Sequence, residues 1–169
     1  MTIMDKVTCL FPGRFQPFHN GHLLVVEGMT KVCGKIIIGI GGHGKEGPEE
    51  NPFTYQERVE MIQRSLQGKN IIPIFDIVFL ELEDMDGDEA WADAALEKTG
   101  KIDKVWTGNE WTKSCFEGKV DIPNISEVAG ISSTEIREQM RTGGEWKDKL
   151  PKEVSFYLSE IEAPARLKK

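Results

Sequence analysis

The sequence predicts one α/β domain with a five-stranded parallel sheet that is covered by helices on both faces. Short apolar runs rich in isoleucine and valine alternate with amphipathic stretches, as expected for strands that are buried on both sides. Turns rich in glycine and proline separate these runs from the helices. The length of 169 residues suits a single domain over 1–169, with a small helical extension over about 132–169.

Five apolar runs are the predicted strands. Each has the length of a buried strand and is bounded by turn residues. They are Val7–Phe11, Lys35–Ile40, Ile71–Phe75 with Ile77–Leu82 as an extended continuation, Asp103–Thr107 and Val120–Ile122.

Helices are predicted where apolar residues recur every three or four positions behind a capping residue. Asn20 is the expected N-cap of the first helix. Thr54 and Glu57 have the spacing of a capping box for a second helix, which ends near Gly68. The other helices are predicted over Asp88–Lys98, over Trp111–Phe116, from Ser132 or Ser133 to Arg141, and from Pro151 onward.

Four loops follow the predicted strands or near-strands, so they should meet at one edge of the sheet. In parallel sheets of this Rossmann-like kind, ligands bind beyond the carboxyl ends of the strands. The loops are Gly13–Asn20, Gly41–Phe53, Gly108–Asn109 and Gly130–Ser133. We therefore expect the chemistry of the protein to lie among them.

Charge and cysteine content disfavour several classes of protein. Acidic residues outnumber basic ones by 28 to 21, and the net charge of −7 disfavours a nucleic-acid-binding module. The three cysteines are odd in number and form no Cys-x-x-Cys, so neither a disulfide scaffold nor a cysteine zinc site is predicted, and Cys9 and Cys33 are expected to be buried as small hydrophobic residues. The chain shows no signal region and no apolar stretch long enough to span a membrane, which predicts a cytoplasmic protein without a membrane partner.

The strongest motif is His19-Asn20-Gly21-His22, at the predicted start of the first helix. Its histidines are three positions apart and so lie on one face of the first turn. Free backbone amides and the positive end of the helix dipole point to the same place, which suits a triphosphate whose charge grows as a bond breaks. Two other interpretations are histidines that only cap the helix and a metal site, for which no carboxylate or cysteine companion is evident. The preceding strand and the flanking Arg14 favour the phosphate site.

A second motif is Ile131-Ser132-Ser133-Thr134-Glu135-Ile136-Arg137. It places three consecutive hydroxyl groups at a helix N-terminus, and Arg137 lies one turn further on, within reach of a phosphate. Alone, this segment is an ordinary sequence for a well-capped surface helix. Its pairing with the histidine motif favours a second wall of one phosphate site.

These two motifs resemble the (H/T)xGH and ISSTxxR signatures of the nucleotidyltransferase superfamily, and they occur in the expected order. Further segments resemble archaeal-type nicotinamide mononucleotide adenylyltransferases, so that the resemblance covers nearly the whole chain. These segments are Gly13–Pro17, Glu50–Thr54 with Glu57-Arg58, Trp106–Asn109, Gly144–Trp146 and Leu150-Pro151.

The resemblance implies a reaction of ATP with nicotinamide mononucleotide that gives NAD and pyrophosphate. It implies Mg²⁺ carried on the ATP phosphates, no metal ligands on the protein, and a possible homo-oligomer. The implied catalytic residues are His19, His22, Arg14 and Arg137, and the implied ATP-binding residues are Gly13, Phe15, Gly21, Ser132, Ser133 and Thr134. The implied acceptor-binding residues are Asn51, Phe53, Arg58, Asp76, Trp91, Gly108 and Asn109, with Trp91 on the nicotinamide ring.

Two segments on the acceptor side depart from the family pattern. The acidic stretch Glu81–Glu89 is longer, and Gly42–Gly47 lacks a polar Ser-Ala-Gln-type stretch. These departures leave open other acceptors, namely phosphopantetheine, flavin mononucleotide or a small phosphate ester with CTP, and also a nucleotide-binding sensor without turnover. Trp91 equally suits a core position on its helix.

Overall fold

The computed structural model describes residues 7–41, 49–83, 87–125 and 130–168, and this part contains a four-stranded parallel sheet. The strands are β1 (Thr8–Gly13), β2 (Lys35–Ile40), β3 (Asp76–Glu81) and β4 (Lys104–Val105), in the spatial order β3-β2-β1-β4. The helices are α1 (Asn20–Met29), α2 (Tyr55–Gly68), α3 (Asp88–Thr99), α4 (Glu110–Phe116), α5 (Ser133–Thr142), α6 (Lys152–Glu160) and α7 (Ala163–Leu167). Within these described ranges, no helix is long and apolar enough to cross a bilayer.

Helices cover both faces of the sheet, as predicted. Side chains alternate along a strand, so Cys9 and Phe11 of β1 face one side and Leu10 faces the other. The first side packs against α1, α2, α5, α6 and α7 in one large apolar cluster. The second packs against Ala92 and Ala95 of α3 and Phe116 of α4. The α5–α7 segment is the predicted C-terminal helical extension.

The third strand lies one segment later than predicted. Residues Ile71–Phe75 form a turn, in which the Phe75 amide donates to the Ile71 carbonyl over 2.9 Å, and the strand is the stretch that was expected to be a continuation. Pro73 has no amide hydrogen for a ladder bond, which disfavours a strand centred on it. Strand β3 instead pairs with all six residues of β2, from Asp76 opposite Lys35 to Glu81 opposite Ile40.

The predicted fifth strand is wrong for the described part of the chain. Of Val120–Ile122, only Asp121 pairs with the sheet, through a single parallel bridge to Lys104 in which the Val105 amide donates to the Asp121 carbonyl over 2.9 Å. Because β4 itself is two residues long, it offers too short a ladder for a neighbouring strand to extend.

Cys9 and Cys33 are buried as expected, but they form a disulfide that the sequence analysis did not predict. Cys9 on β1 is bonded to Cys33 in the turn between α1 and β2, and Cys115 remains a buried free thiol. An odd cysteine count leaves one thiol over but does not prevent the other two from pairing. The cross-link closes a loop that contains the rest of β1, the His19–His22 motif and all of α1.

We expect reduction of the Cys9–Cys33 bond to lower the free energy of unfolding by about 3 kcal/mol, because the cross-link limits the unfolded chain over a separation of 24 residues. Thermal unfolding with and without dithiothreitol measures the effect. Cys33→Ala should remove the dependence on reductant, whereas Cys115→Ala should retain it. Equal melting temperatures for the oxidised and reduced wild type would contradict the prediction.

Candidate active site

A cavity of about 700 Å³ opens at the carboxyl edge of the sheet, which is a volume suited to a nucleotide-sized ligand. The loops after β1, β2 and β4 and the start of α5 all contribute to its wall, so the predicted gathering of loops is confirmed for their described residues. Residues 42–48 of the second loop and 84–86 of the acidic stretch lie outside the described part of the chain.

Thirteen of the seventeen site residues expected from the sequence line this cavity. They are Gly13, Arg14, Phe15, His19, Gly21, His22, Trp91, Gly108, Asn109, Ser132, Ser133, Thr134 and Arg137. The two motifs, more than a hundred residues apart in sequence, therefore form one site. The other four expected residues are Asn51, Phe53, Arg58 and Asp76, which do not line the cavity.

The two histidines hold each other in place at the start of α1. His19, not Asn20 as predicted, is the N-cap, and its Nδ1 accepts hydrogen bonds from the amides of Gly21 (3.1 Å) and His22 (3.3 Å). His22 Nδ1 in turn accepts from the His19 amide over 3.1 Å, which completes a capping box made of two imidazoles. The rings stack with centroids 3.6 Å apart.

This capping arrangement determines which nitrogen of each ring carries the proton. A neutral imidazole that accepts at Nδ1 carries its hydrogen at Nε2. Burial lowers the pKa of His19 from 6.5 to about 4. Burial, together with the neighbouring His19 ring, holds the pKa of His22 well below its ordinary value. Both rings are therefore neutral at pH 7 without ligand and present Nε2–H donors.

Phe15 supports the histidine pair from the side of β1. Its ring is nearly fully buried and meets the His22 ring edge-on, with centroids 4.9 Å apart. Its backbone has φ of 52°, a left-handed conformation that side chains other than glycine rarely adopt. A Cβ on Gly13 would lie 2.7 Å from the Phe15 ring, so glycine is required there by packing. Gly13 and Phe15 thus shape the wall behind the histidines.

Helix α1 does not offer the free amides that we expected from the sequence. The Asn20 amide donates to the Lys149 carbonyl over 3.0 Å, and the Gly21 and His22 amides donate to His19. Any contact from this helix start to a phosphate must therefore come through the imidazole rings.

The start of α5 has open donors instead. Its N-cap, Ser132, accepts from the Glu135 amide over 3.4 Å, while the amides of Ser133 and Thr134 make no hydrogen bond within the described part of the chain. Both residues line the cavity, and a helix N-terminus of this kind attracts anions.

Helix α5 is tied directly to the loop after β1. Arg137 donates from Nη1 to the Gln16 carbonyl over 2.8 Å and from Nε to the Glu49 carbonyl over 3.1 Å. The Ser133 hydroxyl donates to the Pro17 carbonyl over 3.0 Å. Arg137 therefore joins the two motifs as well as lining the cavity.

Arg58 does not line the cavity, although it was expected to bind the acceptor. Its side chain is fully buried, and it donates from Nη1 to the carbonyls of Arg14 (2.8 Å) and Gly41 (2.5 Å) and from Nε to the Thr54 carbonyl (3.2 Å). It thereby links the loops that follow β1 and β2. The structure does not support a contact between Arg58 and the acceptor.

Phe53, Asn51 and Asp76 are also placed differently from the prediction. Phe53 is a core residue. Its backbone N–H and carbonyl form two hydrogen bonds with the buried side-chain amide of Gln16, a contact that the sequence analysis did not predict. Asn51 accepts from Arg14 Nη2 over 3.3 Å, next to the cavity. Asp76 is the first residue of β3 and pairs with the first residue of β2, so it lies at the edge of the sheet opposite the site.

The α3 and α4 side of the cavity contains two residues that the sequence reasoning did not assign to the site. Trp111 follows Gly108-Asn109, in the loop region already expected to carry function, and Asp88 is the first residue of α3. Both line the cavity together with Trp91. Trp91 also packs against the α3–α4 cluster, as its alternative interpretation as a core residue expects, and its contact with an acceptor stays a prediction.

We expect the unliganded protein to lose about 2 kcal/mol of stability between pH 7 and pH 5, because the unfolded His19 takes up a proton near its ordinary pKa while the folded ring, with a pKa of about 4, does not. The unfolded state then binds more protons, so stability falls as the pH falls. Urea unfolding at both pH values measures this loss. His19→Asn should show a smaller loss, and an unchanged pH dependence in that variant would contradict the assignment.

Comparison with known proteins identifies the family. Residues 10–139 match the model of the cytidylyltransferase-like family. The chain is 34% identical over 163 residues to a nicotinamide-nucleotide adenylyltransferase of Methanococcus aeolicus, covering 95% of this chain and 92% of the relative. It is 36% identical over 162 residues to that of Thermococcus sibiricus, covering 94% and 87%. The chain belongs to the nicotinamide-nucleotide adenylyltransferase family. The family resemblance and the predicted class of enzyme, a nucleotidyltransferase, are thereby confirmed.

Solved structures support the fold of this family member. A bifunctional NMN adenylyltransferase/ADP ribose pyrophosphatase from Francisella tularensis superposes with a TM-score of 0.79 at 22% identity, over 93% of this chain. This chain spans 50% of that longer protein. A nicotinic acid mononucleotide adenylyltransferase from Plasmodium falciparum, in complex with NaAD, superposes with a TM-score of 0.67 at 16% identity, over 97% of this chain and 100% of the other.

Proposed function

We propose that this protein transfers the adenylyl group of ATP to nicotinamide mononucleotide and releases pyrophosphate, giving NAD. Family membership supports the reaction. The observation that carries the assignment of the site is the stacked pair His19 and His22, whose Nε2–H donors share a cavity with the open amides of Ser133 and Thr134. Neutral donors and a helix N-terminus suit the phosphates of ATP.

The chemical step is an in-line attack by a 5′-phosphate oxygen of the acceptor on the α-phosphorus of ATP. A new P–O bond forms as the bond to pyrophosphate breaks, and the electron pair leaves with pyrophosphate. The attacking phosphate is already ionised at neutral pH, so the reaction requires no general base. The protein contributes by aligning the two phosphates and by donating hydrogen bonds to the charge that develops on the leaving group.

The hydrogen-bond donors that the two motifs and Arg14 bring to the cavity are imidazole and amide N–H groups, hydroxyls and the guanidinium groups of Arg14 and Arg137. The N–H groups among them bind phosphate oxygens, not a cation. A Mg²⁺ ion would therefore be held by the oxygens of the ATP phosphates and by water, and it would neutralise charge on the leaving pyrophosphate. The described residues include no cluster of three or more histidines, cysteines or carboxylates that would hold a metal ion.

An acceptor panel tests the proposed reaction. The purified protein is incubated with ATP, Mg²⁺ and one acceptor at a time, namely nicotinamide mononucleotide, phosphopantetheine, flavin mononucleotide or a phosphate ester with CTP in place of ATP, and pyrophosphate release is followed. We expect the highest kcat/KM with nicotinamide mononucleotide and NAD as the product. A higher value with another acceptor would overturn the assignment, and tight ATP binding without any product would identify a sensor.

Two other properties remain predictions. Cytoplasmic location follows from the sequence features alone, and homo-oligomeric assembly follows from the family resemblance alone. Light scattering on the purified protein tests the second of these.

A further inference from the structure

The segment 49–54, just before helix α2, contacts both arginines that line the cavity. The Glu49 carbonyl accepts from Arg137 Nε over 3.1 Å. The side-chain oxygen of Asn51 accepts from Arg14 Nη2 over 3.3 Å. Both guanidinium groups belong to the wall that the proposed function assigns to the ATP phosphates. Their positions therefore depend on where this segment lies.

Arg166 on helix α7 holds the other end of the segment 49–54. Its Nη1 donates to the Pro52 carbonyl over 3.5 Å. The guanidinium also meets the Glu57 carboxylate at two points, from Nη1 to Oε1 over 2.9 Å and from Nη2 to Oε2 over 2.5 Å. The same Oε1 accepts from the Thr54 amide over 3.0 Å, in the capping box of α2. Because a two-point contact fixes direction as well as distance, Arg166 fixes the carboxylate that closes the segment.

The apolar side of α7 packs on α5, the helix that carries one of the two cavity-lining arginines. Ala163 and Leu167 of α7 are buried in the same apolar cluster as Met140 of α5. Helix α7 thus contacts α5 through its apolar side and the segment 49–54 through Arg166. Together these contacts fix the separation of α5 from the segment, and the bond from α5 to the segment spans that separation.

We propose that Arg166 is a positioning residue for adenylyl transfer, which holds the segment 49–54 so that the two cavity-lining arginines stay aligned with the phosphates of ATP. This inference rests on the proposed function. Arg166 does not line the cavity, so its effect passes through the segment. A small displacement of groups that contact the reacting phosphates lowers the rate strongly, even when its cause lies far from the chemistry.

Arg166→Met tests the positioning role, because methionine keeps much of the apolar stem and removes every polar contact. We expect kcat/KM for ATP to fall about fivefold, mostly through kcat, because alignment matters most while the bond to pyrophosphate breaks. The melting temperature should fall by less than about 4 °C, as for loss of one partly exposed ion pair. Arg166→Lys keeps the charge without the two-point contact and should restore part of the activity.

Arg64→Met is the matched control. The Arg64 side chain is 36% exposed, compared with 38% for Arg166, and it also pairs with carboxylates, at 2.7 Å from Glu60 and 3.3 Å from Glu160. These pairs join α2 to α6, and neither partner belongs to the segment 49–54. The control should lose a similar amount of stability and keep the kcat/KM of the wild type.

A double-mutant cycle tests whether Arg166 acts through the segment. Asn51→Ala removes the contact of the segment with Arg14. If both substitutions disturb the same element, the double variant should lose less kcat than the product of the two single losses, because each has already undone part of what the other disturbs. A loss that equals or exceeds that product would overturn the route through the segment.

These measurements separate the failure of the inference from that of the proposed function. If the wild type forms no NAD from ATP and nicotinamide mononucleotide, the proposed function itself fails. If the wild type forms NAD and Arg166→Met retains its kcat/KM, or loses only as much as Arg64→Met, the positioning role is overturned. If Arg166→Met does not fold, Arg166→Lys serves as the test variant, and a kcat/KM equal to that of the wild type would overturn the role.

Discussion

The double variant His19→Asn/His22→Gln should remain folded and lose most of its activity, with kcat lower by on the order of 10³. Asparagine is a good N-cap, and glutamine at the third helical position returns the second bond of a capping box. The variant therefore keeps the bonds that His19 and His22 make to the backbone through Nδ1. It loses both Nε2–H donors, which in our proposal contact the ATP phosphates during bond breaking.

Steady-state kinetics and thermal unfolding measure the two effects separately. Thr54→Asn is the matched control, because it exchanges one N-cap residue for another at α2, away from the cavity. It should leave kcat unchanged. Full activity in the double variant would mean that the histidines serve only as caps, which is the alternative that the sequence alone left open.

The chemistry of this site could be predicted from the sequence because it depends on residue types at short spacing. A His-x-x-His pair at a helix start and a serine-rich helix start both depend on contacts within one turn. The misplaced cap shows the limit of such reasoning. Asn20 has the residue type that caps prefer, but the backbone turns at His19, and only the fold determines which of two neighbouring residues lies outside the helix.

The acceptor side was predicted less well because its residues depend on long-range packing. Asp76 was assigned to the site by local resemblance, yet the register of β3 against β2 places it at the opposite edge of the sheet. The position of Trp111 in the cavity wall was not predicted, because no sequence pattern distinguishes a half-exposed tryptophan that lines a site from one elsewhere on the surface. Its position just after Gly108-Asn109 was a usable signal, since that loop was already expected at the site.

The placement of Arg58 could have been recognised from helical spacing. It stands three, four and seven positions before Met61, Ile62 and Ser65, and all four lie on the buried side of α2. An arginine on an apolar stripe must find partners inside the protein. Here its partners are backbone carbonyls of the loops after β1 and β2, which no local pattern could identify.

Arg58→Met should therefore destabilise the protein by about 4 kcal/mol, because it leaves one buried and two partly buried carbonyl groups without their donor. These are the carbonyls of Arg14, Gly41 and Thr54, and the first two support the cavity wall. Urea unfolding measures the loss. Arg64→Met is the control, since Arg64 lies on the same helix in a partly exposed pair with Glu60 and should cost less than about 1 kcal/mol.

The same variant distinguishes a supporting role for Arg58 from direct binding of the acceptor. A residue that bound the acceptor phosphate would, on removal, raise KM for the acceptor alone and leave the unfolding free energy near the wild-type value. A residue that joins the loops after β1 and β2 affects both substrates, because Arg14 lies in one of those loops and contacts Asn51 in the other. We expect KM for ATP and for the acceptor to rise together in Arg58→Met at temperatures where it is still folded. A rise in KM for the acceptor alone, in a variant as stable as the wild type, would instead indicate that Arg58 binds the acceptor.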